Sequence, residues 1–280
     1  MDNPLKACIA ALTRGYDQLP AYNKLLRRNR CIEKYLHNKG IPLLLFHEGN
    51  IPLEHQAYIR QQTPTLTLQF IMVKGDRAFR ADKEPVGREV QEYEGITYPI
   101  GYKHMCSFWF VDFWPFVQEY DYVMRIDEDC YIQFPLDPVF EKMRTSITVW
   151  IITAMCQDDP DYVTQGLNAF TRAHTGSTTV KNPASGPYTN FIVWKMPPLR
   201  NHVGLQSYIR AVDESDNIYR YRWGDLPLWG EAIDYILGKQ CLYVDTHLPY
   251  YHGSHEQMVN NIVSIGRMNS LFSWNKQQPT

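Results

Sequence analysis

Apolar residues fall along this chain in short blocks separated by polar, turn-forming segments. Three such blocks open it: KACIAALTRG at 6–15, IPLLLFHEG at 41–49 and LTLQFIMVK at 66–74. Near-continuous apolar runs of this length, bounded by Gly, Pro or charged residues, predict strands buried on both faces rather than alternating, half-wet ones. Between the first two blocks the spacing of Leu25, Leu26, Ile32, Tyr35 and Leu36 places one apolar stripe on a helix over 16–38, closed by Gly40. A second, short helix is predicted over 53–61. Strand, helix, strand, helix, strand with buried strands predicts an α/β protein whose parallel sheet is covered on both sides. This first half, residues 1–135, reads as the nucleotide-binding half of a single domain spanning 1–280.

Beyond it, residues 75–100 are charged and read as a loop. The run HMCSFWFVDFWPFVQEY is strongly apolar, with Pro115 marking a helix break. A strand is predicted at 120–126, another over SITVWIITAM at 146–155, and polar loops over 158–187. DLPLWGEAIDYILG, 225–238, carries helix signals at both ends: Asp225 as N-cap, Pro227 in the first turn, apolar residues at Leu226, Trp229, Ile233, Ile236 and Leu237, and Gly238 as the stop. The last ~25 residues are polar and read as a closing tail, so 136–280 is assigned to the acceptor side.

Composition narrows the function classes. A net charge of −2 over 280 residues gives no electrostatic footprint for a nucleic acid partner. No apolar run approaches the ~18 residues of a membrane span, and residues 1–20 show no signal peptide. The six cysteines form no C-x-x-C pair and lie in apolar stretches, which predicts reduced, buried thiols and a cytoplasmic protein. Aromatic residues make up 14% of the chain, compatible with a cleft for sugars.

The segment YDYVMRIDEDCYIQF concentrates the chemistry. An apolar strand runs straight into Asp127, Glu128 and Asp129, and a second apolar group follows. Acidic groups at the end of a buried α/β strand stand where open sheets bind ligands. Asp127 and Asp129 share one side if extended, and hard oxygen ligands suit Mg²⁺ or Mn²⁺ carrying substrate phosphates. The competing reading is a solvated acidic turn with Arg125 as its counter-charge. His252 in LPYYHGSH is a further candidate ligand, and an imidazole would tilt the site toward Mn²⁺; the competing reading there is a hydrogen-bonded structural histidine. A hydrolase using paired carboxylates fits less well, because the acids are neighbours in sequence rather than placed to flank a bond.

The stretches GYKHMCSFWF, YDYVMRIDEDCYI, YTNFIVWKM and YRWGDLPLWGEAIDYIL, with KACIAALTRG and LPYYHGS more weakly, resemble glycosyltransferase family 15, the fungal α-1,2-mannosyltransferases, across most of residues 5–255. The resemblance implies a GT-A fold with a Rossmann-like mixed sheet flanked by helices, a Mn²⁺-bridged nucleotide diphosphate, and an oligosaccharide or glycoprotein acceptor. It places Asp127 and Asp129 in the metal motif, where the family has Glu-Pro-Asp. It matches His252 to a late metal-binding His, Tyr102 to a Tyr near the donor diphosphate and Arg14 to the nucleotide pocket. Lys103 or Arg125 would add positive charge beside the phosphates. One departure is chemical: where the family carries a Glu after Asn-Phe, this chain has Ile192, which can act neither as nucleophile nor as base. An inverting enzyme needs a base instead, and Asp225, then Glu231, are the candidates. A retaining α-mannosyltransferase or an inactive sugar-binding protein are the alternatives. The absence of a leader makes the chain similar to the soluble glycosyltransferases of large algal viruses, which brings UDP-sugars such as UDP-xylose into play beside GDP-mannose.

Overall fold

The computed structural model describes residues 5–75, 78–88, 98–158 and 164–259. The first three apolar blocks form β1 (Ala7–Leu12), β2 (Leu43–His47) and β3 (Leu68–Met72), and the strand before the acidic triplet is β4 (Tyr122–Ile126). After a turn comes β5 (Cys130–Ile132). The block at 146–155 is not one strand. It splits at Thr153 and Ala154 into β6 (Trp150–Ile152), in the central sheet, and β7 (Met155–Gln157), which pairs with β8 (Ser185–Pro187) in a separate ribbon. β9 (Phe191–Lys195), β10 (Leu242–Val244), β11 (Tyr250–His252) and β12 (Gln257–Val259) complete the set.

Seven strands make one sheet in the order β10-β6-β9-β4-β1-β2-β3. β1 to β4 are mutually parallel, as expected for the first half, and β10 is parallel to β6. β9 runs antiparallel to both β4 and β6, so the whole sheet is mixed. Each strand's alternation divides its side chains between two cores. On β1, Cys8 and Ala10 join one cluster while Ala7, Ile9 and Ala11 join the other; on β9, Ile192 and Trp194 separate in the same way from Phe191 and Val193. The first cluster is aromatic, with Trp109, Trp150, Trp194 and Trp229 fully buried, each large side chain contributing roughly 2–3 kcal/mol through lost water contact. The second is mainly aliphatic and is covered by the helix Asn23–Tyr35, whose buried stripe includes Leu25, Leu26 and Ile32.

Other boundaries move for physical reasons. The expected helix over 16–38 starts only at Asn23, after a 3-10 turn at Leu19–Tyr22 opened by Pro20. The apolar run before β4 is a helix, Ile100–Ser107, that loosens into a π turn at Phe108–Asp112 and then a 3-10 turn at Trp114–Val117 containing Pro115. Residues 158–187 are not all loop: Leu167–Thr175 is helical, and its Leu167 and Thr171 are buried. The closing tail, from residue 260, lies outside the described residues. Six cysteines are free thiols, five of them buried and Cys156 half-buried. No helix among the described residues is long and apolar enough to cross a membrane.

The helix Asp225–Ala232 packs against β8 backbone to backbone. A Cβ built on Gly230 would stand 1.6 Å from the Ser185 carbonyl oxygen, and one on Gly186 would stand 2.0 Å from the Leu226 oxygen. Both obstacles are main chain and cannot step aside as a flexible side chain would. Gly230→Ala is therefore expected to destabilise the protein by about 3 kcal/mol, near the upper end for overpacking, and a urea titration of the variant against wild type measures it.

Candidate active site

β4 delivers its last residue, Ile126, to the edge of the core, and the chain then turns sharply. The Asp127 N–H donates to the Asn190 carbonyl at 3.0 Å, and the Cys130 N–H donates back to the Asp127 carbonyl at 3.2 Å, closing a turn over 127–130. The three acids thus project from one tight turn, and each has a different partner.

Glu128 faces the loop after β1. Its Oε2 accepts from the Thr13 hydroxyl at 2.7 Å and the Arg14 N–H at 3.1 Å, and its Oε1 accepts from the Tyr16 hydroxyl at 2.6 Å. The same loop is pressed against Asn50, whose oxygen would lie 2.0 Å from a Cβ at Gly15; only glycine fits there. Arg14, assigned to the nucleotide pocket, enters this network through its backbone, and its side chain is exposed. Behind the turn, the fully buried Arg28 feels Glu128 and Asp127: burial presses its pKa down, and these acids oppose the shift.

Asp129 faces β11. Register pairing of Cys130 with His252 puts their side chains on the same face of the small sheet β12-β11-β5. The His252 Nε2 lies 3.5 Å from Asp129 Oδ1, while its Nδ1 contacts the Tyr188 hydroxyl at 2.7 Å and the Asn190 amide at 3.0 Å. With Nδ1 held in this way, Nε2 is the nitrogen that faces Asp129. The Ser254 hydroxyl donates to Asp129 Oδ2, and the Gly253 N–H to the Asp129 carbonyl at 2.9 Å. Burial pushes the Asp129 carboxyl up, but the hydrogen bonds from His252 and Ser254 outweigh it and leave the group below the usual carboxylate range. Asp129, Cys130 and His252 offer ligand atoms that all lie within 4.8 Å of one another. A carboxylate and an imidazole held this close, with the imidazole's far nitrogen fixed by second partners, fit a divalent cation.

Asp127 does not join that cluster. Arg125, fully buried, donates from Nε to Asp127 Oδ1 at 3.0 Å and more weakly from Nη2 to Oδ2 at 3.4 Å, while its Nη1 donates to Asp225 Oδ2 at 2.5 Å. Its guanidinium lies 4.4 Å over the Trp109 ring. Burial alone would weaken its charge, but the two carboxylates more than offset that. Arg125, expected to add positive charge beside the phosphates, bridges two acids, and toward Asp127 it is the internal counter-charge of the competing reading. Asp225 is correspondingly not the helix N-cap. It is the first helical residue, Gly224 takes the cap position, and the Asp225 carboxylate is turned inward to Arg125.

Two other expected residues lie elsewhere. The Lys103 ammonium is buried and donates to the Gly87 carbonyl at 3.0 Å and the Tyr219 carbonyl at 2.5 Å, and burial pushes its pKa down to about 8. It ties helices together and is not presented to phosphates. Glu231 faces the helix Leu167–Thr175, accepting from Asn168 at 2.9 Å, and burial raises its pKa. Tyr102 is held by Arg222, which donates to its hydroxyl at 2.6 Å. Ile192 is fully buried in the aromatic core, paired in register with Arg125. Three residues escaped the sequence: Cys130 and Glu128 were visible but had no assigned role, and Arg222 was one arginine among many.

No protein-family model matches the chain. It is 24% identical over 187 residues to the O-glycoside α-1,2-mannosyltransferase omh1 of Schizosaccharomyces pombe, which covers 59% of this chain but only 47% of that protein. The chain therefore spans about half the length of this curated relative. Its fold matches the mannosyltransferase Ktr4p of S. cerevisiae in complex with GDP, with a TM-score of 0.73 at 16% identity over 99% of this chain and 83% of that one. It also matches core-mannan synthase A of Aspergillus fumigatus in its Mn/GDP form, with a TM-score of 0.68 at 14% identity over 88% and 74% of the two chains. The GT-A fold and the resemblance to glycosyltransferase family 15 are thereby borne out.

Two outcomes follow from these placements. Glu128→Ala removes the acceptor for three donors on the loop after β1, and is expected to cost roughly 2 kcal/mol in chemical denaturation. Lys103→Met leaves two carbonyls without their donor and is expected to cost about 2 kcal/mol as well, with nucleotide affinity by calorimetry unchanged from wild type.

Proposed function

We propose that this protein is a metal-dependent glycosyltransferase that moves a sugar from a nucleoside diphosphate to a hydroxyl of a glycan acceptor. The observation that carries the reading is the Asp129–His252 pair at the mouth of β4, a buried carboxylate and imidazole 3.5 Å apart on a GT-A frame. Known proteins of similar fold support it, since one holds GDP and another Mn and GDP.

On this reading Asp129 and His252 hold a divalent cation, Mn²⁺ or Mg²⁺, that would neutralise charge developing on the departing diphosphate. Asp127, held by Arg125, flanks them. Tyr188 and Asn190 act through His252 by fixing its ring. The donor is a UDP-sugar such as UDP-xylose, or GDP-mannose. With Ile192 in place of a nucleophile, we assign an inverting course, in which Asp225 accepts the acceptor's proton through the oxygen that Arg125 does not hold. Product stereochemistry tests this step directly. An α-linked donor must give a β-glycoside by NMR, and an α-linked product ends the assignment.

The metal is tested separately by thermal unfolding with UDP or GDP, with and without Mn²⁺. Nucleotide stabilisation should require the metal and reach about 2.7 kcal/mol at a hundred-fold excess over Kd. Asp129→Ala should abolish it, and His252→Ala should weaken Mn²⁺ binding by about ten-fold or more. Equal stabilisation with and without Mn²⁺ would remove the metal from the reading.

A further inference from the structure

The electrostatics of the acidic turn leave one requirement unmet. Arg125 is divided between Asp127 and Asp225, and Lys103 is bound to carbonyls, so neither meets an incoming anion. Three residues before Asp225, Arg222 occupies the left-handed region at φ 54°, ψ 44°, an unfavourable conformation for a long side chain. Its neighbour Trp223 is buried, and the indole N–H donates to the Gln165 carbonyl at 2.8 Å. The guanidinium lies 4.3 Å from the Tyr98 ring centre and 4.9 Å from that of Tyr102, and Nη2 donates to the Tyr102 hydroxyl. Nε and Nη1 are shielded from solvent and have no hydrogen-bond partner among the described residues. The charge near Nη1 is the half-exposed Asp158 carboxylate at 3.5 Å, too far for a good hydrogen bond.

We propose that Arg222 binds the diphosphate of the nucleotide donor, and that Asp158 is the internal anion the diphosphate displaces. The proposal rests on the glycosyltransferase reading. A planar guanidinium fixed by two aromatic rings, with unused N–H groups and an imperfect counter-ion, is suited to exchange a carboxylate for a phosphate that completes its hydrogen bonds. Arg222 lies three residues before Asp225, and its Nη1 stands 3.9 Å from where a Cβ on the intervening Gly224 would lie, so Arg222 belongs to the same wall as the Arg125 bridge. The strained backbone and the ring stack hold the group in place before the ligand arrives.

The test is calorimetry in Mn²⁺ with UDP, GDP, UMP and GMP. Arg222→Met is expected to lose about 30-fold in diphosphate affinity, consistent with a charge-assisted hydrogen bond, and under two-fold in monophosphate affinity. Arg222→Lys keeps the charge and should fall between. Asp158→Asn removes the competing carboxylate and should tighten diphosphate binding several-fold. An unchanged ratio of diphosphate to monophosphate affinity in the arginine variants overturns the proposal while leaving the enzyme reading intact. If Arg222→Met does not fold, Arg222→Lys and Asp158→Asn decide it in the same terms. Wild-type protein that binds no nucleoside diphosphate at all overturns the functional reading, and this inference with it.

Discussion

The site depends on one buried guanidinium. Arg125 is on β4, a strand in the middle of the sheet, where an unpaired charge would be prohibitively costly. It is tolerable because three elements converge on it. The turn after β4 brings Asp127, the helix Asp225–Ala232 brings Asp225, and the π turn brings Trp109 beneath its plane. Removing either acid would leave a partly uncompensated charge in the core, a defect of roughly 3–5 kcal/mol. The bridge locks the acidic turn to the helix whose backbone is pressed against β8, and so fixes the distance between the turn and the wall that carries Arg222.

Around that bridge the three consecutive acids are sorted by direction rather than by type. Asp127 faces inward to arginine, Glu128 sideways to the loop after β1, and Asp129 to His252. One carboxylate would serve a metal, and the other two are what make its position reproducible. This division explains why a turn with three like charges is stable: among the described residues, each is hydrogen-bonded by different side chains from a different part of the fold.

Much of this was legible in the residues. Buried strands announce themselves as apolar runs, and the position of β1 to β4 followed from them; the strand-end placement of the acids pointed to the site, and LPYYHGSH pointed to His252. What could not be read was orientation. Arg125 and Lys103 are both cations next to apolar residues, and only the fold shows that one meets carboxylates and the other carbonyls. The antiparallel insertion of β9 was hidden because a buried antiparallel strand looks like a buried parallel one. Asp225 looked like a helix cap because the pattern Asp-x-Pro fits one, and the sequence gives no sign that a buried arginine 100 positions earlier claims the same carboxylate. Arg222 was invisible for the same reason: its interest comes from a backbone conformation and two rings.

The pairing of β5 with β11 carries a consequence for how the molecule is made. Cys130 and His252 are register partners, yet most of the chain's second half separates them. Long-range pairings of this kind close late, because the entropy of bringing distant segments together must be met before the contact stabilises anything. During synthesis from the N-terminus, the parallel strands β1 to β4 can associate while His252 is still to be added, so the acidic turn exists for a time without the imidazole that faces it. On the proposed reading, a divalent cation that engages Asp129 and His252 together would act as a clasp between two segments that meet late.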